Sequence, residues 1–316
     1  MRNNLFLMAA VAVLGLLTGC SQPKSFVAQN GALHVEGTFL MNKNNQKVVL
    51  KGVSYGWHDW VYPFYNTQTV DILCDQWHCN VIRAAIGAEP KNGYINNPEL
   101  GFKCVTTVAD RAIERGIYVI VDWHSHHIRT QEAKDFFTKV AMRYKGVPNI
   151  IYEIFNEPVH DSWEDVKAYS VEIIDLIRRI DPNALILVGS PHWDQDIDLV
   201  ADAPLSGYDN LMYTVHFYAG THKQELRDKA QYALSKGIPL FFSECGGMNA
   251  DGDGPLDYDS WAAWTSWMEA NSISWAAWSL SQKVETCSML PPTSSPTGPW
   301  ADSELKEWAK LVRQSL

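Results

Sequence analysis

Two glutamates stand out because each closes a strongly apolar run. Glu157 follows Ile150–Phe155 and Asn156, and Glu244 follows Pro239–Phe242 and Ser243. Paired carboxylates in one site can divide the work of proton transfer and attack. One is kept neutral by an apolar or crowded setting and donates a proton. The other stays ionised beside a cation and acts as a nucleophile. Arg83 is the candidate cation. Trp57, His58, Trp60, His124, Asn156, Trp193, His216, Tyr218 and Trp278 occupy comparable places, at or just beyond the ends of short apolar runs. Together they form a polar, aromatic and acidic set.

The elements that must position these residues alternate along the chain. Strand-like runs rich in β-branched and aromatic residues appear at Val48–Tyr55, Val81–Ile86, Tyr118–His124, Asn149–Asn156, Ala184–Gly189, Leu211–Tyr218, Pro239–Cys245 and Ser274–Leu280. Helical patterns lie between them. Val105, Val108, Ala109 and Ala112 share one helical face, as do Val166, Tyr169, Ile173 and Ile177. Ser162 and Asp165 are spaced for a helix start. Eight near-continuously apolar strands, each followed by a helix, predict a (β/α)8 TIM barrel, an α/β fold whose site lies at the carboxyl ends of the strands. Before it, residues 32–47 read as a short β-hairpin that turns at Gly37-Thr38. Trp261, Trp264 and Met268 lie on one helical face and are expected in the core, as are Leu305, Trp308 and Val312.

The chain has 316 residues, 46% of them hydrophobic, with a mean hydropathy of −0.19 and a formal charge of −10. That composition excludes a disordered chain and a polytopic membrane protein. The negative charge argues against nucleic acid and polyanionic partners. Arg2, a short apolar stretch and Leu17-Thr18-Gly19-Cys20 read as a secretory signal, too short to span a bilayer. Leu-Thr-Gly-Cys resembles the bacterial lipobox, which implies cleavage before Cys20 and lipidation of that residue. The expected organisation is therefore a signal over 1–19, a polar tether over 20–30 and one barrel over 31–316. Ser21 points to the outer membrane, and a monomer is expected. The five other cysteines, an odd number, leave at least one thiol free or bonded between molecules.

Ile154-Phe155-Asn156-Glu157-Pro158 resembles the signature of glycoside hydrolase family 5, the cellulase family. Val121-Asp122-Trp123-His124, Val215-His216-Phe217-Tyr218 and Phe242-Ser243-Glu244-Cys245-Gly246 follow in that family's order. Trp278–Glu285 is similar to its bacterial endo-β-1,4-glucanase subgroup. The resemblance implies a retaining hydrolase of β-1,4-glucan chains or oligosaccharides that needs no cofactor or metal. It implies that Glu157 is the acid/base and Glu244 the nucleophile. Arg83 and Tyr218 would hold Glu244, His216 would tune Glu157, and Asn156 and His124 would contact the reacting sugar. Trp278, Trp60 and Trp193 would be platforms along the cleft, and Lys283 and Glu285 would bond sugars on the non-reducing side. Mannan, xyloglucan and mixed-linkage β-glucan remain alternative substrates.

Three positions depart from the family pattern. Gly56 stands where a histidine is common, and His58 is expected to replace it at the substrate. Gly87 stands four residues after Arg83, where an aromatic is common, so one platform is expected to be missing. Cys245 replaces an aromatic after the nucleophile, and a disulfide to Cys287 is left open. Other readings are weaker. His124-Ser125-His126-His127 resembles a barrel zinc site, but the eighth strand carries no Asp. Gly52-Val53-Ser54-Tyr55-Gly56 matches an esterase elbow, but no helix signal follows it. A non-catalytic glycan-binding lipoprotein would not need the whole set around Glu157 and Glu244.

Overall fold

The computed structural model describes residues 24–316. The expected signal and Cys20 lie outside them. A helix, Phe26–Asn30, precedes the hairpin of β1 (His34–Glu36) and β2 (Phe39–Met41), which pair antiparallel. Part of the expected tether is thus ordered structure. Val27 is buried, and its N–H donates to the Gly116 carbonyl at 2.8 Å.

Eight further strands follow: β3 (Lys51–Tyr55), β4 (Val81–Gly87), β5 (Tyr118–His124), β6 (Ile150–Glu153), β7 (Leu185–Val188), β8 (Leu211–Tyr218), β9 (Leu240–Gly246) and β10 (Ser274–Leu280). They close into a barrel in the order β10-β3-β4-β5-β6-β7-β8-β9. This is the expected (β/α)8 barrel. The intervening helices carry the predicted faces. Val105, Val108, Ala109 and Ala112 are buried on the helix Pro98–Arg115. Val166, Tyr169, Ile173 and Ile177 are buried on Trp163–Ile180, where Ser162 Oγ accepts from the Asp165 N–H at 3.2 Å. Trp261, Trp264 and Met268 are buried on Tyr258–Ala270.

The strand bounds differ in an instructive way. β6 stops at Glu153, yet Ile154 and Phe155 are fully buried beyond it. An apolar run reports burial, and burial here continues after ladder pairing ends. The chain instead climbs over the rim, and the N–H groups of Asn156 and Glu157 donate to the carbonyls of Trp123 (3.1 Å) and Ser125 (3.2 Å). That crossing places Glu157 over the barrel mouth.

The hairpin plugs the opposite mouth. Leu33 and Leu40 pack with Leu50, Val81, Tyr118, Leu185 and Phe241 in one apolar cluster, and Asn210 Oδ1 accepts from the Val35 N–H at 3.0 Å. Fully burying such side chains contributes roughly 1.5–3 kcal/mol each. The carboxyl mouth is left free for chemistry. There the ladders shift register between Thr214 and His216 and between Trp278 and Leu280. Such bulges re-aim side chains at barrel rims, and here they flank His216, Glu244 and Trp278.

Candidate active site

Arg83, on β4, is fully buried and organises the barrel mouth. Its Nε donates to Glu153 Oε2 at 2.7 Å, and one terminal nitrogen donates to Glu153 Oε1 at 3.1 Å and to Asn156 Oδ1 at 2.6 Å. The same nitrogen lies 2.9 Å from Asp122 Oδ2. The other terminal nitrogen donates to Glu244 Oε2 at 3.0 Å. The planar fork of five donors is what lets one residue hold several carboxylates and an amide at fixed angles. Tyr218 Oη donates to the second oxygen of Glu244 at 2.6 Å. Both Glu244 oxygens are therefore aimed.

Glu157 is clasped by two imidazoles. His216 Nδ1 lies 2.9 Å from Oε1, and His126 Nε2 lies 3.2 Å from Oε2. His216 is itself fixed: its Nε2 is 2.9 Å from Ser243 Oγ and 3.3 Å from Asp194 Oδ2. Burial acts to lower the His216 pKa, but the charge of Asp194, the nearby Glu153 carboxylate and the hydrogen bond to Glu157 outweigh it and raise it well above 6.5. Burial acts to raise the Glu157 carboxyl, but the hydrogen bonds from His126 and His216 prevail and hold it down at about 2. Glu244 moves the other way, pushed up by burial and by the facing Glu157 charge against the pull of His216, Arg83 and Tyr218. Hydrogen bonding in the free site thus favours charge on the two imidazoles over a proton on Glu157. A proton passed to Glu157 would remove the charge that opposes ionisation of Glu244, so the protonation states of the two carboxylates are linked. An oxygen of each glutamate and a nitrogen of His216 lie within 4.8 Å of one another.

Asn156 Nδ2 is buried without a hydrogen-bond partner. A buried donor left free at a site mouth is a ligand contact in waiting. His124 Nδ1 sits 2.6 Å from Asp122 Oδ2, and its ring stacks on Trp278 at 5.1 Å. Burial first, then the positive Arg83, hold its pKa well below 6.5, so it is a neutral imidazole.

The cleft runs past these groups. On one side a cavity of about 200 Å³ is bounded by Trp57, Trp60, Trp278, Lys283 and Glu285. On the other, one of about 560 Å³ is bounded by Trp193, His126, His192 and His222 with both glutamates. Tyr218 borders both. Trp60 and Trp193 are 55% and 37% exposed, against 9% for Trp278. Lys283 Nζ pairs with Glu285 at 2.8 Å and lies 4.3 Å over the Trp60 ring. Replacing Trp60 by Ala should therefore raise KM about tenfold, or about 1.4 kcal/mol, with the thermal midpoint unchanged. Steady-state kinetics beside a melting curve checks both.

His58 is not where the sequence placed it. It starts a short helix, His58–Val61, that turns its ring inward. It is fully buried, and its Nδ1 accepts from the Gly87 N–H at 3.0 Å. It cannot touch a sugar. Burial lowers its pKa to about 4. Its folded pKa lies below its unfolded value, so the unfolded chain binds more protons between about pH 6.5 and 4, and the stability His58 supports is lost as pH falls through that window. His58→Asn, which keeps the acceptor, should flatten the fall in urea midpoint over that range. An unchanged slope would contradict the assignment.

The space beside Gly87, where an aromatic was expected to be missing, is filled by an indole from another loop. A Cβ on Gly87 would meet Trp57 Cε3 at 2.7 Å. The glycine leaves room for Trp57, which stacks on Trp60 at 5.2 Å and meets the edge of His124 at 4.3 Å. Cys245 and Cys287 are free thiols, so the disulfide left open is not formed. Ser54 of the apparent elbow is buried within β3, donating to its neighbour's carbonyl at 2.9 Å. His124 and His126 face Asp122 and Glu157 and do not converge on a common point.

Several site residues escaped sequence reading. Glu153 and Ser243 lay inside apolar strand runs, and Asp122 lay within a quoted motif without a role. Asp194 directly follows Trp193 and carries no sequence signal of its own. Trp57 was seen at a strand end but given no role. His126 was weighed only as a metal ligand. The available signal was charge: ionisable residues in β-strand interiors imply buried partners.

A parallel barrel whose carboxyl mouth joins two close carboxylates, a buried imidazole and a file of indole planes has the layout of a glycoside hydrolase. Comparisons agree. Residues 41–284 match the family described as Cellulase (glycosyl hydrolase family 5). The chain is 40% identical to an endoglucanase of Clostridium saccharobutylicum over 98% of its own length and 71% of that protein. It is 40% identical to endoglucanase A of Evansella cellulosilytica over 85% of its length, but spans only 56% of that relative. The catalytic domain of Thermobifida fusca endoglucanase Cel5A, solved in complex with cellotetraose, superposes with a TM-score of 0.87 at 30% identity, covering 92% of this chain and 99% of that one. The chain belongs to glycosyl hydrolase family 5, the cellulase family, and is an enzyme of the endoglucanase kind.

Proposed function

We propose that the enzyme hydrolyses internal β-1,4-glucosidic bonds with retention of configuration, Glu157 serving as acid/base and Glu244 as nucleophile. The observation that carries this reading is the closeness of the two carboxylates, with an oxygen of each inside a 4.8 Å group. Retaining enzymes hold the pair about 5–5.5 Å apart, whereas inverting ones leave about 6.5–9.5 Å for a water. Glu244, aimed by Arg83 and Tyr218, attacks the anomeric carbon while Glu157 protonates the leaving oxygen. Glu157 then takes a proton from the water that releases the glycosyl group. Asn156 donates to the 2-hydroxyl, His124 bonds the same sugar, and Trp278 lies under it. Trp60 with Lys283 and Glu285 forms the non-reducing side, and Trp193 forms the other.

Proton NMR of freshly cleaved cellotetraose tests the stereochemistry. The first product expected is the β-anomer, and an α-anomer would sink the assignment. Parallel assays on carboxymethyl-cellulose, mannan, xyloglucan and mixed-linkage glucan should show the highest turnover on a β-1,4-glucan. We also propose, from Leu17-Thr18-Gly19-Cys20, that the protein is exported and anchored through a lipid on Cys20. Fatty-acid labelling that survives Cys20→Ser would refute the anchor.

A further inference from the structure

Both oxygens of Glu157 are occupied, and the two imidazoles holding them differ. His216 is buried and locked from behind by Ser243 and Asp194. His126, in the loop just past β5, is 36% exposed in its side chain and lines the cleft. Its ring rests edge-on against Trp57 at 5.4 Å, and among the described residues its one hydrogen bond to another side chain runs to Glu157. A general acid must turn a protonated oxygen toward the glycosidic oxygen. The oxygen bonded to His216 is held inward, so the working oxygen is Oε2, the one His126 holds.

We infer that His126 is a positioning residue that loads Glu157 with its catalytic proton, yielding its place to the glycosidic oxygen as substrate enters. This rests on the proposed role of Glu157 as acid/base. At rest, an imidazolium Nε2–H donates to the Glu157 carboxylate. As substrate excludes water, that proton moves to Oε2, leaving a neutral imidazole and a neutral carboxylic acid. The acid proton passes to the leaving oxygen as its bond to the anomeric carbon breaks and the bond from Glu244 forms. In the second step, the Glu157 carboxylate takes a proton from water as the water oxygen bonds to carbon and the glycosyl ester breaks. That proton returns through Oε2 to His126 Nε2.

The groups facing His126 favour its resting charge. Glu157 lies beyond β6, Glu89 follows β4 and Glu244 ends β9, while His124 on its own strand is neutral. Burial acts to lower the His126 pKa, and the hydrogen bond and charge of Glu157 with those of Glu89 and Glu244 raise it above 6.5. Glu89 is tied to this loop through Ser125 Oγ, which donates to it.

The test uses His126→Gln, which keeps a donor but cannot titrate, and His126→Phe, which keeps the edge contact with Trp57. Each is assayed across pH on dinitrophenyl β-cellobioside, whose leaving group needs no proton, and on phenyl β-cellobioside, whose leaving group does. The alkaline limb of kcat/KM on the phenyl substrate should move about one pH unit or more toward acid in both variants. On the dinitrophenyl substrate kcat/KM, which reports the glycosylation step alone, should change far less than on the phenyl substrate. Profiles that superimpose on wild type, or equal losses on both substrates, would overturn the relay. Glu157→Gln, run beside them, separates the two ideas. If it also shows no dependence on leaving group, the acid/base assignment itself fails. If it shows strong dependence while the His126 variants match wild type, only the relay fails.

Discussion

Glu244→Gln is expected to lower kcat about 10⁴-fold or more, the scale on which loss of a covalent nucleophile acts, while the protein remains folded. The reason lies in the site. Arg83 and Tyr218 donate to separate oxygens of Glu244, and an amide at this position still accepts one of those bonds. The fold is thus spared while the negative charge that the proposed mechanism sends to carbon is gone. The substitution also removes one carboxylate from a crowded acidic mouth, so the thermal midpoint should hold or rise slightly. Steady-state kinetics on cellotetraose with a parallel melt checks both parts. A loss below tenfold, or a matching collapse of stability, would contradict the role.

Arg83→Met is expected to have the largest structural effect. Arg83 pairs with Asp122, Glu153 and Glu244 at once, at 2.9, 2.7 and 3.0 Å. Removing it leaves three carboxylates buried against one another, and breaking a buried pair typically costs about 3–5 kcal/mol. In the variant, their folded pKa values rise above the unfolded ones. The deficit should therefore be greatest above about pH 5 and shrink as pH falls and the carboxylates protonate. Urea unfolding at several pH values reads this directly. Activity should fall as well, because Asn156 and Glu244 lose their common anchor. Arg83→Lys should recover little, since a point charge cannot reach Glu153, Asn156 and Glu244 together.

The barrel was legible because eight apolar runs of strand length alternate with helical patterns. The glutamate pair was legible because a charge at the end of such a run needs a reason. What stayed hidden depends on contacts across long stretches of chain. Glu153 looked like strand filler, yet its partner Arg83 lies 70 positions away. Glu157 was read as a strand end, although β6 stops at Glu153 and the chain reaches the site by crossing the rim. His58 and Trp57 exchanged places for a local reason: the tight turn after β3 sends the histidine under the barrel mouth and the neighbouring indole over Gly87. One residue of rotation in such a turn separates a sugar contact from a core side chain. His126 was visible in His124-Ser125-His126-His127, but only distances show that it clasps a carboxylate.

Under the proposed mechanism Glu244 attacks and Glu157 supplies the proton. Incubation with a 2-deoxy-2-fluoro-cellobioside bearing a dinitrophenyl leaving group, followed by peptide mass spectrometry, tests it most directly. One glycosyl group per chain is expected, attached at Glu244 and absent from Glu244→Gln. A glycosyl group on Glu157, or turnover that never passes through a covalent adduct, would contradict it.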